Sequence, residues 1–312
     1  MGRLGSEHFI RIGTRGSPLA LAQTRMTRSL LAQAHAIGEE AIEIVVIRTS
    51  GDMIQDRALS EAGGKGLFTR ELDIAMMEGR IDIAVHSSKD LPTVLPDGIV
   101  AAGYLPREDV RDVLISKTAR SIAELRHGAK IGTASLRRGA QIRRLRPDLE
   151  IALLRGNVET RLRKIEEGEF DATMLALAGL KRLGLADCAA AILDIDDFLP
   201  AVGQGAVGIT AREDDAQTIA ALAPILHADT GYALTAERAF LRVLDGSCRT
   251  PLAGFAQVVG DQLSFRGMAL RPDGSEARET AGAGPVLQAE AIGEKAGHEL
   301  RAQLPPGFMS VD

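Results

Sequence analysis

The sequence predicts an α/β protein built from two similar halves, followed by a small α+β domain. Three observations lead to this prediction. Predicted strands alternate with helices of about 10–15 residues over the first two-thirds of the chain, which is typical of parallel or mixed sheets. Two short motifs recur in the same order within that region. The alternation ends after about Leu226.

The elements of the two halves follow from local patterns. The first strand covers residues 8–14, and Ser17 followed by Pro18 marks the beginning of a helix that continues to about Ala36. The first half also has predicted strands at 42–47 and 81–85 and a helix at 67–78. The second half has predicted strands at 130–132, 151–154 and 172–175, with helices at 136–146 and 158–167.

The repeated motifs link the two halves. The tripeptide Ile-Gly-Thr at 12–14 recurs at 131–133, each time between a strand and a helix. The pattern Glu-Gly-x-x-Asp at 78–82 recurs at 167–171. Two motifs in the same order predict a pair of similar α/β domains facing each other across a cleft.

The last part of the chain has a different pattern. A helix at 230–244 precedes two strands at 253–259 and 263–270, and an amphipathic helix at 286–304 closes the chain. The glycine-rich segment 200–208 suggests that the chain returns to the first domain before it enters the third. We therefore expect domain 1 at 1–105 with 203–225, domain 2 at 106–202 and domain 3 at 226–312.

Composition excludes several classes of protein. The 312 residues are 45% hydrophobic and 25% charged, as in ordinary globular proteins. No apolar run approaches the ~18 residues of a membrane span, and the first residues lack the apolar stretch of a secretory signal. Two cysteines argue against a disulfide scaffold and a cysteine-rich zinc site, and they fit a reducing compartment. We expect a cytoplasmic protein without a metal or a membrane association.

The basic residues are unevenly distributed. The net charge is −5, yet the chain has 30 Arg against 7 Lys, and residues 126–163 hold ten basic and three acidic side chains. An acidic chain with one Arg-rich segment indicates a local anion site, because guanidinium groups match carboxylate and phosphate oxygens in pairs. A solvated helix face with ion pairs is the alternative.

Two predicted junctions between strand and helix are candidate anion sites. Helix N-termini offer unpaired backbone N–H groups and a favourable dipole. Arg15 adds a cation to the first junction, and Arg137 and Arg138 add two to the second. Ordinary N-capping by Ser17 and Ser135 is the alternative. Two such junctions favour a substrate with several carboxylates or phosphates.

Further basic residues follow predicted strands or glycine-rich loops. Arg155 lies at the carboxyl end of the strand 151–154, where ligands of open α/β sheets bind, and Arg161 lies one turn into the next helix. The Gly-rich stretch 63–66 lacks the spacing of a P-loop. We expect it to be a mobile loop with Lys65 as an anion contact.

Two candidate reactive groups remain. Asp90, beside Lys89, follows the predicted strand 81–85, so it is placed to stabilise cationic charge or to move protons, although a surface ion pair is the alternative. Cys248 lies beside Arg249 in a turn, where a nearby cation favours the reactive thiolate. Cys188 is expected to be buried packing.

Together these stretches resemble the porphobilinogen deaminase family. The matching motifs lie at 14–20, 63–68, 86–90, 132–138, 154–157, 178–184 and 199–208, with Cys248 in a Gly-x-Cys-x-x-Pro loop. The resemblance runs from about Ile10 to the C-terminal helix.

The resemblance implies a fold and an activity. It implies three domains, of which the first two resemble type II periplasmic binding proteins and flank a deep cleft. It implies a monomeric transferase that joins four porphobilinogen molecules head to tail, with loss of ammonia, into the linear tetrapyrrole hydroxymethylbilane. A dipyrromethane cofactor would be attached to Cys248 through a thioether.

The resemblance also assigns roles to residues. Asp90 matches the catalytic carboxylate. The residues that would bind cofactor or substrate are Arg15, Ser17, Lys65, Ser87, Lys89, Thr133, Ser135, Arg137, Arg138, Arg155, Gly156, Asn157, Arg161 and Gln204. Each pyrrole carries an acetate and a propionate, which accounts for a site rich in Arg.

Two other classes of function are alternatives to this one. A two-lobed binding protein for a small polyanion, without catalysis, fits the repeated halves but gives Cys248 and the third domain no role. An RNA-binding protein that uses residues 126–163 is opposed by the isoelectric point of 5.8 and the 3% aromatic content. We therefore expect no nucleic-acid partner.

Overall fold

A computed structural model describes residues 8–53, 66–245 and 250–310 of the chain. The chain divides into two compact units. The first comprises Met1–Ile54, Gly64–Arg107 and Ala206–Gly231, and the second comprises Gln55–Gly63, Glu108–Gly205 and Tyr232–Asp312. Lys65 and Cys248 lie outside the described residues. Within the described ranges, no helix is both long and apolar enough to cross a bilayer.

The first stretch of the chain forms four strands and three helices of the first unit. They are β1 (Ile10–Thr14), α1 (Pro18–His35), β2 (Ile42–Val46), α2 (Ser50–Met53), α3 (Arg70–Met77), β3 (Ile83–Ser87) and β4 (Ile99–Tyr104). Helix α1 begins as predicted, because Ser17 Oγ accepts a hydrogen bond from the Ala20 N–H at 3.3 Å. It ends at Ala36, which adopts the left-handed conformation at φ 51°.

Residues 108–205 form a second set of elements. They are β5 (Asp112–Ser116), β6 (Lys130–Gly132), α4 (Leu136–Leu145), β7 (Glu150–Ala152), α5 (Val158–Glu166), β8 (Ala172–Ala176), α6 (Leu177–Arg182) and β9 (Ala191–Ile192). Side-chain caps fix where the two longer helices begin. Ser135 caps α4 and Asn157 caps α5, so both helices start where the sequence predicts.

The remaining elements complete both units. They are β10 (Val207–Arg212), α7 (Ala216–Leu222), α8 (Ala228–Val243), β11 (Leu252–Val259), β12 (Gln262–Leu270), β13 (Ala277–Pro285) and α9 (Ala289–Arg301). The predicted closing helix is too long at both ends, because Val286–Gln288 forms a 3-10 turn and α9 stops at Arg301. Strand β13 was not predicted, since its glycines and charged residues give no strand pattern.

The two larger sheets share one spatial arrangement of strands, although the chain connects them in a different order. The strand order is β2-β1-β3-β10-β4 in the first unit and β7-β6-β8-β5-β9 in the second. In each sheet the first three strands are parallel, the fourth runs antiparallel to the third, and the fifth runs antiparallel to the fourth. This confirms the predicted pair of similar α/β folds. A third, antiparallel sheet of order β11-β12-β13 packs against α9.

The repeated Glu-Gly-x-x-Asp motif has the same structural role in both sheets. Asp82 accepts a hydrogen bond from the Arg11 N–H at 2.8 Å, and its own N–H donates to the Arg11 carbonyl at 2.9 Å. Asp171 makes the equivalent pair with Lys130, at 2.7 and 2.9 Å. The glycine of each motif has a positive φ, 69° and 76°. The motif therefore turns the chain after a helix and aligns the next strand beside its parallel neighbour.

Both large sheets are covered on two faces. In the first unit, Ile12 and Ile83 pack with Leu31 of α1 on one face, while Leu72 and Met76 of α3 cover the other. The second unit likewise has two buried clusters around its sheet. Because the faces are filled, polar side chains that reach solvent collect at the strand ends.

Candidate active site

Asp90 lies at the carboxyl end of β3 in the first unit. It ends a short 3-10 turn, Ser88–Asp90, in which Lys89 precedes it. Its Oδ2 lies 3.7 Å from Nη1 of Arg15, which follows β1. The two side chains are 31% and 19% exposed. Because β1 and β3 are neighbouring parallel strands, their ends bring a carboxylate and a guanidinium together where a ligand has access.

Arg15 is held on its other side by an aromatic ring. Its Cζ lies 4.1 Å from the centre of the Phe68 ring, within the range of a cation–π contact. Phe68 was not among the predicted site residues, although it ends one of the motifs on which the family resemblance rests. The contact fixes the guanidinium while leaving it partly accessible.

The two serines before Lys89 are engaged differently. Ser87 Oγ lies 2.9 Å from Nε2 of Gln23, which donates to it. Ser88 Oγ is buried and has no hydrogen-bond partner among the described residues, while the Ser88 N–H donates to the Ala206 carbonyl at 3.0 Å. The hydroxyl of Ser88 is therefore a buried polar group that a ligand or a water would satisfy.

His86, two residues earlier, is a buried neutral side chain. Its Nε2 lies 3.0 Å from Oγ1 of Thr210 on the adjacent strand β10. Burial lowers the pKa of His86 to about 3, and the charge of Arg15 lowers it further. Because His86 is buried against Thr210 while the Asp90 side chain is partly exposed, Asp90 rather than His86 is the acid–base candidate in this part of the first unit.

In the second unit, Arg137 and Arg138 begin α4 and are almost fully buried, at 4% and 5% exposure. Their main partner is Asp112, the first residue of β5, which is 0% exposed. Arg138 donates to Asp112 Oδ1 from Nε and Nη2, at 3.0 and 2.7 Å, and Arg137 Nη2 lies 2.8 Å from Oδ2. The sequence predicted that both arginines contact an anionic ligand, and the structure shows that they also form a buried ion cluster with Asp112.

Backbone carbonyls complete much of this cluster. Arg138 Nη1 donates to the Met174 carbonyl at 2.9 Å, and Arg137 Nη1 donates to the Leu199 carbonyl at 2.8 Å. Nε of Arg137 is buried and has no partner in the part of the chain that the structure describes. Burial lowers the pKa of Arg137, and the nearby positive charge of Arg138 acts in the same direction against the attraction of Asp112. The three ionic side chains leave a net charge of +1 and one unused donor, which suits an anion.

Gln204 was predicted to donate a hydrogen bond to the ligand, and in the structure its amide donates to Asp112 and to a backbone carbonyl. Its Nε2 donates to Asp112 Oδ1 at 3.1 Å and to the Val110 carbonyl at 2.8 Å. Asp112 itself was missed by the sequence reasoning. One feature of the sequence could have identified it. Asp112 directly precedes the apolar residues Val-Leu-Ile, and an acidic residue at the start of a buried strand predicts a buried, paired carboxylate.

The hydroxyls before α4 serve as caps. Ser135 Oγ accepts from the Arg138 N–H at 3.3 Å, and Thr133 Oγ1 accepts from the Ser135 N–H at 3.1 Å. Ser135 therefore caps α4, as Ser17 caps α1 in the first unit, and the binding of a ligand by either serine stays a prediction. Each hydroxyl accepts in these bonds, so its own proton can still be donated to an anion.

The loop between β7 and α5 holds the other predicted anion contacts. Gly156 has φ 111° and its carbonyl accepts from Nε of Arg161 at 2.9 Å. Asn157 Oδ1 caps α5 through the Thr160 N–H at 2.8 Å. Arg155 and Arg161 are both half-buried. The assignment of these residues to a ligand stays a prediction.

The structure tests the prediction for one of the two cysteines. Cys188 is exposed, so the prediction that it is buried packing is wrong. It ends a 3-10 turn, Ala186–Cys188, on the surface between α6 and β9. Cys248 lies outside the described residues, and so does Lys65.

Comparison with known proteins identifies the family. The family model described as "Porphobilinogen deaminase, dipyromethane cofactor binding domain" matches residues 10–220, and that of the "Porphobilinogen deaminase, C-terminal domain" matches residues 232–302. The chain belongs to the porphobilinogen deaminase family. It is 57% identical over 300 residues to the porphobilinogen deaminase of Nitrobacter winogradskyi, covering 96% of this chain and 95% of that one. The corresponding protein of Nitrobacter hamburgensis is 55% identical over the same shares of the two chains.

Membership of the porphobilinogen deaminase family bears on the predicted function. It confirms a transferase of tetrapyrrole synthesis with a dipyrromethane cofactor, and it does not favour the non-catalytic binding protein. Among solved structures, the methionine-binding protein MetQ matches with a TM-score of 0.44 and 15% identity, over 68% of this chain and 87% of that one.

Proposed function

We propose that this chain joins four porphobilinogen molecules head to tail, with release of ammonia, into hydroxymethylbilane. The observation that carries this proposal is the pairing of Asp90 with Arg15 at 3.7 Å, both partly exposed at neighbouring strand ends. A group that loses ammonia develops positive charge, and porphobilinogen also carries carboxylates. Asp90 can stabilise the positive charge, and Arg15 can bind a carboxylate.

Asp90 is the proposed catalytic residue. Its carboxylate stabilises the positive charge that develops on the substrate pyrrole as ammonia leaves. It also takes part in the proton transfers that accompany formation of the new bond. Arg15, held by Phe68, binds a substrate carboxylate and so places the reacting pyrrole beside Asp90. Ser17, Ser87 and Lys89, on the same strand ends, complete this binding set.

The second unit is proposed to bind carboxylates of the cofactor and of porphobilinogen, both as the free substrate and within the growing chain. The buried cluster around Asp112 has a net positive charge and an unused donor at Arg137 Nε, and it lies at the N-terminus of α4. These features fit an acidic dipyrromethane. The residues that would hold it are Thr133, Ser135, Arg137, Arg138, Arg155, Gly156, Asn157, Arg161 and Gln204.

The dipyrromethane, when bound, supplies the pyrrole end to which the first porphobilinogen is joined. Cys248, in the proposed third domain at 226–312, is the attachment point through a thioether, and Lys65 is a further anion contact. We also propose that the protein works as a cytoplasmic monomer and that porphobilinogen is its small-molecule substrate. The predicted cleft between the two α/β domains stays a prediction.

Purified protein incubated with porphobilinogen tests the proposed function. Ammonia and hydroxymethylbilane are measured together, and intact mass spectrometry follows the protein during turnover. We expect mass increments of one pyrrole unit at a time on a protein that is already heavier than its polypeptide. Absence of both ammonia and the tetrapyrrole would refute the proposal.

A further inference from the structure

The proposed function assigns no role to the buried carboxylate of Asp112. We infer that Asp112 is a positioning residue, which sets the orientation in which Arg137 and Arg138 meet the carboxylates of their ligand. The inference rests on the proposed function, because it concerns the same carboxylate-binding cluster. It assigns Asp112 no contact with the reacting atoms.

The geometry fixes each guanidinium separately. Oδ1 of Asp112 accepts two hydrogen bonds from Arg138, which sets the plane of that guanidinium, and a carbonyl binds its third nitrogen. Oδ2 lies 2.8 Å from Nη2 of Arg137, whose Nη1 donates to another carbonyl. One carboxylate therefore orients two cations, and it leaves Nε of Arg137 as a buried donor without a partner among the described residues.

Asp112 is itself rigidly held. Gln204 donates to its Oδ1 at 3.1 Å while also donating to the Val110 carbonyl. The main chain of Asp112 is part of β5, paired with Ala176, and its carbonyl accepts from the Leu193 N–H at 2.9 Å. A side chain fixed from both ends can transmit its position to the groups it binds, which is how supporting residues hold a binding site in order.

The charges argue that Asp112 does not simply neutralise the cluster. Two guanidinium groups against one carboxylate leave a positive charge in a buried position. Without Asp112, Arg137 and Arg138 would repel each other and turn away from the geometry seen here. With it, both cations stay in place and the cluster still attracts one further anion.

The test is a binding measurement in an Asp90→Asn background, where turnover is blocked. The Kd of porphobilinogen is measured by calorimetry for this parent and for variants that also carry Asp112→Asn or Asp112→Glu. Asn keeps the shape without the charge, and Glu keeps the charge in a shifted position. Asp148→Asn is the matched control, since Asp148 is also paired with an arginine of the second unit, Arg146, at 2.7 Å.

We expect both Asp112 variants to weaken binding roughly tenfold or more, the effect of losing one charge-assisted hydrogen bond. Asp148→Asn should leave the Kd unchanged. With Asp90 restored and cofactor loading measured by intact mass, Asp112→Glu should raise KM by a larger factor than it lowers kcat. A purely structural role would lower Tm without this split.

Three outcomes would overturn the inference. Tighter binding by Asp112→Asn would mean that Asp112 competes with the ligand for the arginines. Unchanged binding by a folded Asp112→Glu would mean that its position is irrelevant, and this variant decides the question if Asp112→Asn does not fold. Equal weakening by Asp148→Asn would mean that any lost ion pair has the effect. Unsubstituted protein that neither binds porphobilinogen nor releases ammonia from it would instead refute the proposed function.

Discussion

Arg138 donates two hydrogen bonds to one oxygen of Asp112, from Nε at 3.0 Å and from Nη2 at 2.7 Å, and both side chains are buried. The planar fork of a guanidinium makes this arrangement possible, and an ammonium group cannot reproduce it. The most basic segment of the chain thus places part of its charge inside the second unit, against a carboxylate, rather than on the surface.

Replacing Arg138 by Lys tests the importance of the fork. Arg138→Lys keeps the charge but loses the paired hydrogen bonds and the contact with the Met174 carbonyl. We expect the free energy of unfolding to fall by about 2–4 kcal/mol, within the range for a disrupted buried ion pair. Thermal denaturation provides the measurement. Arg146→Lys, at a partly exposed pair with Asp148, is the control and should cost clearly less.

Substitution of Asp90 should separate activity from stability. Asp90→Asn removes the negative charge from a partly exposed position at a strand end, so the fold should be kept and Tm should change little. The rate of ammonia release should fall by at least about 100-fold, the scale of a lost charge-stabilising or proton-transferring group. Full activity in the folded variant would show that Asp90 is not catalytic.

The two cysteines offer a matched pair for the covalent attachment. Cys248→Ser should give a protein whose intact mass equals that of the bare polypeptide, because the proposed thioether cannot form. Cys188→Ser changes the exposed thiol and should retain the additional mass. An adduct that survives Cys248→Ser, or that is lost with Cys188→Ser, would place the attachment elsewhere.

Asp73 and His86 should have opposite effects on stability as pH changes. Burial lowers the pKa of His86 to about 3, so the unfolded state binds more protons and stability rises with pH, from about 3 to about 6.5. Burial raises the pKa of Asp73 to about 6, with a contribution from Glu71, so stability falls as pH rises from about 4 to about 6. The two contributions oppose each other between about pH 4 and pH 6.

Removing either titrating side chain should therefore leave the pH dependence of stability that is due to the other one. Asp73→Asn should make the free energy of unfolding rise more steeply with pH between 4 and 6 than in the unsubstituted protein, by up to about 1.4 kcal/mol per pH unit. His86→Gln should change that slope in the opposite direction. Denaturant titrations at several pH values measure both slopes, and identical slopes in all three proteins would contradict the assignment.

Glu237 of α8 should be a strong determinant of stability. It is fully buried and accepts from the Gly203 N–H at 2.7 Å and from the Ala256 N–H at 2.8 Å. Glu237→Gln leaves one of these donors facing an amide nitrogen, which should cost about 2–3 kcal/mol. Glu290→Gln, at an exposed pair with Arg242, is the control and should cost under about 1 kcal/mol. Similar melting temperatures for the two variants would disprove this role.

Local signals in the sequence predicted much of the fold. Ser17, Ser135 and Asn157 mark helix starts because a cap acts within three residues. Strand β10 was not predicted, since Gly208 and the preceding glycines disguise a strand whose neighbours are distant in sequence. The strand order is likewise set by contacts between distant residues, and local patterns do not report it.

The candidate site was predicted only in part, for a similar reason. Asp90 and Arg15 were found because each follows a recognisable strand, and the ends of neighbouring strands meet. The burial of Arg137 was not predicted, because it depends on Asp112 and on the Leu199 carbonyl, which lie far from it in the chain. The type of a residue shows whether it carries a charge, whereas the group that pairs with that charge is determined by tertiary structure.

The position of β10 has a consequence for synthesis on the ribosome. It lies between β3 and β4, yet residues 207–212 are translated after every strand of the second large sheet, which spans residues 112–192. In the sheet that carries Asp90, the edges of β3 and β4 that pair with β10 therefore stay unpaired in the nascent chain until translation has passed residue 212. By then every strand of the later sheet has been translated, so that sheet can already be complete. The sheet whose first strands are translated earliest is therefore the one whose strand pairing is completed later.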